Sequence, residues 1–350
     1  MTDTSAPAAP TASPAAALAR YTTAPDPAPL LALNFGFARA RALGTALDLG
    51  LFTELARGPR TCEDLAAALG CHFRALADLL AVLTEFGLLT EDGQELTGLS
   101  RAYLVEGEPA YLGDHFAEVL GQWDRWSALT SVVRSGERSG DLGAPASRGR
   151  HPGLFGGGFP IAVRVAFAAV QALGLRGAGR AGRVLDLACG GGEWGIALAA
   201  ADPLAEVTAH DDPVLLGSAR ARAAEFGVTG RFRFVSADFA APPFADAGFD
   251  TVVLAHAGRF AGPSATARLV GECARLLRPG GSLLLADVMR PEPGRPALSR
   301  PMLGLSLRVN TADGAVMAAE EYRALMEEAG VTAKECVTRG LVTAQTGERR

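Results

Sequence analysis

Lysine is nearly missing from this 350-residue chain: Lys334 is the sole one among 33 lysines and arginines. Basic charge is carried by arginine, and the alanine- and arginine-rich bias is that of GC-rich coding sequence rather than of any chemistry. No basic excess exists either. The formal net charge of −5 supplies no general attraction to nucleic acid or to an anionic membrane, so neither is expected as a partner. Cysteine is scarce and odd in number. Cys62, Cys71, Cys189, Cys273 and Cys336 lack the paired short spacings of a zinc site, and no His, Asp and Glu cluster has metal-ligand spacing, so no metal is expected. Unpaired thiols fit a reducing, cytoplasmic setting. No apolar run approaches the ~18 residues needed to cross a bilayer. The start, MTDTSAPAAPTASPAAA, lacks the basic residues and apolar core of a secretory signal. It reads as a disordered Ala/Pro-rich tail over 1–27. The length allows two or three domains.

What the chain does have is a strand, an acid and a glycine turn in succession. In VLDLACGGGEWG at 184–195, Val184, Leu185 and Leu187 bracket Asp186 at the end of a buried-strand pattern. Gly190, Gly191 and Gly192 then let the backbone approach a ligand that any side chain would strike. Gly190-x-Gly192-x-x-Gly195 also fits the dinucleotide fingerprint, whose glycines serve the same approach. Asp186 separates the two readings. Four residues before the first glycine, its carboxylate repels a pyrophosphate but suits a cationic, amino-acid-like ligand. That points to S-adenosylmethionine.

Strand and helix signals alternate downstream. AEVTAHD ends in Asp211, 19 residues after Gly192, placed to accept hydrogen bonds from ribose hydroxyls. The alternative role for Asp211 is a helix cap ahead of Pro213. A helix over 213–226 and the strand RFRFVSADF follow, the latter closing on Asp238 and Phe239. FDTVVLAH at 249–256 is apolar enough to be buried on both faces. Residues 265–277 have helical spacing, and Arg278-Pro279-Gly280-Gly281 separates them from the strand SLLLADV. This alternation predicts an α/β fold, a Rossmann-like doubly wound sheet with its ligand across the strands' carboxyl ends.

The N-terminal half reads differently. ALNFGFARARALGTALDLGLF at 32–52 is one long helix, too apolar for a free surface. Thr61-x-x-Asp64 is a capping pattern for a helix over CEDLAAALG. A second helix spans 73–86, and Asp92-Gly93 is a hairpin turn signal. Two helices and a small hairpin make a winged helix, a fold that raises DNA binding. The would-be reading helix carries Arg74 as its only guanidinium, with Asp78 and Glu85 nearby, whereas a DNA reader presents a basic face. Residues 101–140 form bridging helices, with Trp123 and Trp126 three apart on one face.

Taken together, DLACGGG, HDDP at 210–213, ADF at 237–239, LLRPGGSLLLAD and EEYRALMEEAG carry a specific resemblance. From about residue 180 the chain resembles class I S-adenosylmethionine-dependent methyltransferases. Over roughly 28–348 it resembles the small-molecule O-methyltransferases of the acetylserotonin and caffeate type, including their bacterial secondary-metabolite branch. The resemblance implies a winged-helix dimerisation domain over 28–105, a helical bridge to the substrate pocket over 106–175 and a cofactor-binding methyltransferase domain over 176–350. It implies a homodimer acting on a small-molecule acceptor. It also implies that Asp186, Ala188, Gly190 and Gly192 bracket the methionine portion of the cofactor, that Asp211 takes the ribose, and that Asp238 and Phe239 flank the adenine. The family's usual first glycine is Ala188 here, a small change that leaves binding possible.

The catalytic position departs from the family. Methyl transfer from a sulfonium needs a nucleophile held in line with the methyl group, so proximity and orientation supply much of the acceleration. The family adds a histidine base just after the fourth strand; FDTVVLAHAGRF puts Arg259 there, with His256 three residues earlier. Arginine stays protonated and cannot be a general base. It can hold an acidic acceptor, such as a carboxylate, an enol or an acidic phenol, or it can simply face solvent or pair with a carboxylate. Asp287 and His115 are the other candidates for proton handling, although His115 beside Asp114 also reads as a surface pair. Substrate-lining candidates are Trp123, Trp126, Phe159, Met302 and Asn310. Glycine-dense HPGLFGGGFP at 151–160 fits either an entrance loop or a linker. Three functions stay open: methylation of an oxygen, or less readily a carbon, of a secondary metabolite; a non-methylating reaction such as cyclisation, decarboxylation or hydroxylation on the same fold; and a nicotinamide oxidoreductase or binding-only relic.

Overall fold

The computed structural model describes residues 13–138, 140–238, 241–290 and 300–350. Seven strands make one mixed sheet: β1 (Arg183–Leu187), β2 (Glu206–Asp211), β3 (Phe232–Ser236), β4 (Phe249–Ala255), β5 (Leu277–Asp287), β6 (Val331–Arg339) and β7 (Val342–Arg349). Their order is β3-β2-β1-β4-β5-β7-β6, with β1 to β5 parallel and β7 antiparallel to both neighbours. The chain starts in the middle, walks outward to β3 and returns to β4, so the order reverses between β1 and β4. A doubly wound sheet opens its ligand crevice at such a point, beyond the strands' carboxyl ends.

Side-chain chemistry explains the burial. Val184, Leu185 and Leu187 on β1, and Val252 to Leu254 on β4, are almost wholly enclosed, as a parallel sheet covered on both faces requires. One face packs on the helices Phe159–Ala172 and Glu193–Ala201 through Val163, Ala166, Trp194 and Ile196. The other packs on Pro263–Leu276 and Ala319–Glu328 through Leu269, Cys273, Tyr322 and Met326. Each fully buried Leu or Val contributes about 1.5–3 kcal/mol relative to exposure, so these two layers hold the strand ends in fixed register.

The N-terminal domain has its own core around Leu51, Phe52, Leu65, Leu76 and Leu83. Thr61 caps Cys62–Leu69 by accepting from the Asp64 N–H at 3.2 Å. Helix Phe73–Glu85 follows, and the wing is a single bridge between Leu89 and Leu96. The long helix expected over 32–52 is three pieces: Ala28–Asn34, Gly36–Asp48 and Leu51–Leu55. Its second break is at Gly50, in the left-handed region at φ 67°, where a glycine ends a helix without a Cβ clash. Leu30, Leu31, Leu33, Phe35 and Phe37 on its outer face are exposed in the single chain.

Three other expectations are corrected. Within the tail expected to be disordered over 1–27, Pro14–Thr22 forms a helix. Strand β3 stops at Ser236, two residues short of Asp238. And among the described residues one stretch, Pro152–Ala172, is long and apolar enough to cross a bilayer. Its helix Phe159–Ala172 instead packs its apolar face into the core against Glu193–Ala201, which explains why a core helix carries so few charges.

Candidate active site

Strands β1 and β4 deliver the site residues through the same backbone device. Each is followed directly by a non-glycine residue with left-handed backbone, Ala188 at φ 58° and His256 at φ 59°. Such a conformation costs about 1–3 kcal/mol for a non-glycine residue and persists only where surrounding structure enforces it. The two bends flank the crevice at the order reversal.

On the β1 side, Asp186 accepts the Gly195 N–H at 2.8 Å and is buried. Burial pushes its carboxyl up to about 7, with Asp211 adding to the rise against the Gly195 bond. Glu193, the first residue of the next helix, is raised to about 8, again chiefly by burial. Gly190 lies under the covering segment: a Cβ there would sit 2.6 Å from the Phe155 carbonyl. The glycine-dense stretch 152–158 is therefore neither slack linker nor distant loop. Its backbone roofs the first glycine run, with Gly156 against Gly191.

Asp211, at the end of β2, lies in a cavity of about 310 Å³ lined also by Arg148, Ser236, Ala237 and Asp238. Phe239 lies outside the described residues. Asp211 does not cap the following helix; Asp212 does, through the Val214 N–H at 2.9 Å. Arg148, unnoticed in the sequence, grips Asp211 with Nε at 2.8 Å and Nη2 at 2.5 Å. Nothing in ASRGRHP marks Arg148 over Arg150, and only the fold shows which of them turns inward.

The donor set suits the cofactor. The buried acids Asp186 and Glu193 beside the glycine turn match the charge of a cationic ligand end, and Asp211 and Asp238 line a cavity whose carboxylates match the chemistry of a nucleoside's hydroxyls.

On the β4 side, Arg259 does not face solvent. Its backbone N–H donates to Asp287 Oδ2 at 3.0 Å and its Nη1 to Oδ1 at 2.6 Å. Tyr322 donates its hydroxyl to Oδ2 at 2.9 Å. Burial alone would raise Asp287, but the charge and hydrogen bond of Arg259 together with the neighbouring His256 outweigh it and hold the carboxyl far below its usual range. Arg259 Nη1 also lies 2.8 Å from His256 Nδ1. Because a guanidinium only donates, that nitrogen accepts and the imidazole proton sits on Nε2. Burial lowers His256 below its ordinary value, so it is neutral near pH 7. Its Nδ1 is 3.8 Å from Asp287 Oδ1, beyond hydrogen-bond reach, which leaves Arg259 as the neutralising partner. Tyr322 was legible only as part of EEYRALMEEAG, with no sign of its reach to Asp287.

The substrate candidates scatter. Trp123 is half-exposed and tilted against Phe37 at 6.2 Å, and Trp126 is partly buried on the same short helix, Trp123–Ser127. Phe159 is in the core beneath Gly191. On Arg300–Asn310, Met302 is exposed while Asn310 is buried, its Nδ2 donating to the Ser306 carbonyl at 3.0 Å and its Oδ1 without a partner among the described residues. His115 is not a surface pair with Asp114; its Nδ1 lies 3.2 Å from the Gly153 carbonyl.

Comparison with known proteins agrees with this geometry. Residues 184–281 match the family "Methyltransferase domain" and 31–106 match "O-methyltransferase dimerisation domain". The chain is 27% identical over 316 residues to 3-hydroxy-5-methyl-1-naphthoate 3-O-methyltransferase of Streptomyces sahachiroi, spanning 87% of this chain and 89% of that protein. It is 28% identical over 327 residues to the tetracenomycin polyketide synthesis 8-O-methyl transferase TcmO of Streptomyces glaucescens, at 89% and 93% coverage. Human N-acetylserotonin methyltransferase, solved in complex with SAM, superposes with a TM-score of 0.77 at 20% identity, covering 93% of this chain and 99% of that one. The chain is an S-adenosylmethionine-dependent methyltransferase whose methyltransferase domain follows an O-methyltransferase dimerisation domain.

Proposed function

We propose that this enzyme methylates an acidic hydroxyl or enol oxygen of an aromatic or polyketide secondary metabolite, working as a homodimer. The Arg259–Asp287 pair carries this reading, because it puts a fixed positive charge where the family has a base. Bound S-adenosylmethionine supplies an electrophilic methyl group on its sulfonium. Asp186 and Glu193 meet the cationic methionine end, Asp211 the ribose, and Asp238 the adenine side.

Among the described residues, none of the three groups at the ends of β4 and β5 serves as a general base. Arg259 cannot accept a proton, Asp287 is ionised and filled with donors, and His256 Nδ1 is blocked by Arg259. Among the described residues, Arg259 hydrogen-bonds through Nη1 and its backbone, so Nε and Nη2 remain to hold an anionic acceptor oxygen. Charge stabilisation of that kind acts strongly in a water-poor site. The acceptor must therefore lose its proton easily. Relatives over most of the chain are named as O-methyltransferases of a hydroxynaphthoate and of tetracenomycin polyketide synthesis, which supports the acceptor class and does not favour a non-methylating reaction.

The test is incubation with methyl-labelled S-adenosylmethionine and a panel of phenolic, polyketide and keto-acid acceptors, read by mass spectrometry. Label on an oxygen, strongest for acceptors of low pKa, is expected. Conversion without label overturns the proposal.

A further inference from the structure

The acceptor capacity of Asp211 is fully used within the protein. Its Oδ1 takes Arg148 Nε at 2.8 Å and the Asp212 N–H at 2.8 Å; its Oδ2 takes Arg148 Nη2 at 2.5 Å and the Gly190 N–H at 2.8 Å. A carboxylate offers roughly four lone-pair sites, and four donors fill them. Two backbone donors are fixed by the strand end and the glycine turn. The guanidinium is the part that can leave.

Arg148 is itself built into the wall rather than lying on it. It is 6% exposed, its Nη2 also donates to the Ala188 carbonyl at 3.1 Å, and its guanidinium lies 4.8 Å over the Phe155 ring. Its guanidinium contacts the buried Asp211 directly, and its charge also reaches the buried Asp186 and Glu193. Arg148 thus ties together the ends of β1 and β2 and the glycine-rich roof, at the point where a nucleoside's sugar must enter.

We infer that Arg148 is a cofactor-positioning residue that acts by exchange, competing with the cofactor's ribose for Asp211. Two hydroxyls and a bidentate guanidinium cannot share the same two lone-pair sites, so ribose binding displaces Arg148 from Asp211. The displaced guanidinium stays in a cavity whose walls are acidic, where the α-carboxylate is the cofactor's one anionic group and the guanidinium its natural partner. Arg148 therefore opposes the nucleoside half of the ligand and favours the amino-acid half. This inference rests on the reading of Asp211 as the ribose acceptor.

Adenosine and S-adenosylhomocysteine separate the two halves, because adenosine has the ribose but no α-carboxylate. Calorimetric titration of the full-length protein with both ligands is the experiment. Arg148→Met is expected to bind adenosine about tenfold tighter than the wild type, as expected for relieving a competitor worth ~1.4 kcal/mol, and to gain less or lose affinity for S-adenosylhomocysteine. Arg148→Lys keeps a positive charge among the three acids but cannot bridge both oxygens, so it decides the matter if the methionine variant does not fold; it is expected to show the same order. A purely structural arginine would weaken both ligands when replaced. Adenosine affinity that is unchanged or lower in the folded variants overturns the exchange. Asp211→Ala tests the underlying reading separately: retention of wild-type adenosine affinity in that variant removes the ribose role itself, whatever the Arg148 variants do.

Discussion

Arg259 and Asp287 meet twice, backbone N–H to Oδ2 at 3.0 Å and Nη1 to Oδ1 at 2.6 Å, with the carboxylate side chain 2% exposed and the guanidinium 17%. The first contact fixes the turn after β4 against the end of β5. The second neutralises a charge that has no access to water. One residue therefore both shapes the site and sets its electrostatics.

Removing the guanidinium strands that carboxylate. Arg259→Ala is expected to destabilise the protein by about 3 kcal/mol, the usual cost of leaving a buried charge uncompensated. It should also lower kcat/KM at least about tenfold through loss of charge at the acceptor oxygen. Denaturant titration and steady-state kinetics measure the two separately. Unchanged turnover in a folded Arg259→Ala protein removes Arg259 from the reaction.

The pH dependence of turnover follows from the missing base. With His256 neutral and its Nδ1 engaged, kcat should show no ascending limb belonging to an enzyme histidine near pH 6.5. The limb should instead move with the acceptor, shifting by about as much as the acceptor's own pKa. Profiles for two acceptors of different acidity check this. A limb that stays fixed across acceptors and disappears in His256→Gln would identify the imidazole as the base after all.

Much of this architecture was legible because parallel strands announce themselves. VLDL, FDTVVLA and SLLLAD are short apolar runs closed by turn residues, and the acids at their ends fall on the ligand side by chain direction alone. Pairings across the sheet were not legible. Asp287 and Arg259 are 28 residues apart, Arg148 and Asp211 are 63 apart, and each is an ordinary charged residue in its local context. The break at Gly50 was missed for a related reason: apolar periodicity runs through a glycine that only the backbone angle shows to be a stop. Pro152–Ala172 escaped notice because its prolines, glycines and one arginine interrupt the apolar run without spoiling its average.

The outer face of the first helices should be the dimer contact. Leu33 is 77% exposed and Phe35 61%, both within the matched dimerisation domain. Large apolar side chains clustered at a surface mark an interaction site. The double variant Leu33→Glu/Phe35→Glu is expected to shift the protein from dimer to monomer by light scattering, with little loss of secondary structure. A dimer that persists places the contact elsewhere.

Cofactor binding should release protons. Asp186 and Glu193 are raised to about 7 and about 8 in the folded protein from their ordinary 3.8 and 4.5. A raised carboxyl favours the folded state at low pH, and its contribution is lost as pH rises through the folded pKa. Stability of the cofactor-free protein therefore declines from about pH 4 to about pH 8 through these two groups. A cationic ligand reverses that sign, because it favours the ionised carboxylates. Affinity for S-adenosylmethionine should accordingly rise from pH 6 to about 8 and then level, as the carboxyls no longer have to ionise first. S-Adenosylhomocysteine, without the sulfonium charge, should rise less over the same range. Calorimetry in two buffers of different ionisation enthalpy counts the protons released, and Glu193→Gln should reduce that number. Equal pH slopes for the two ligands would show that the acids do not sense the sulfonium.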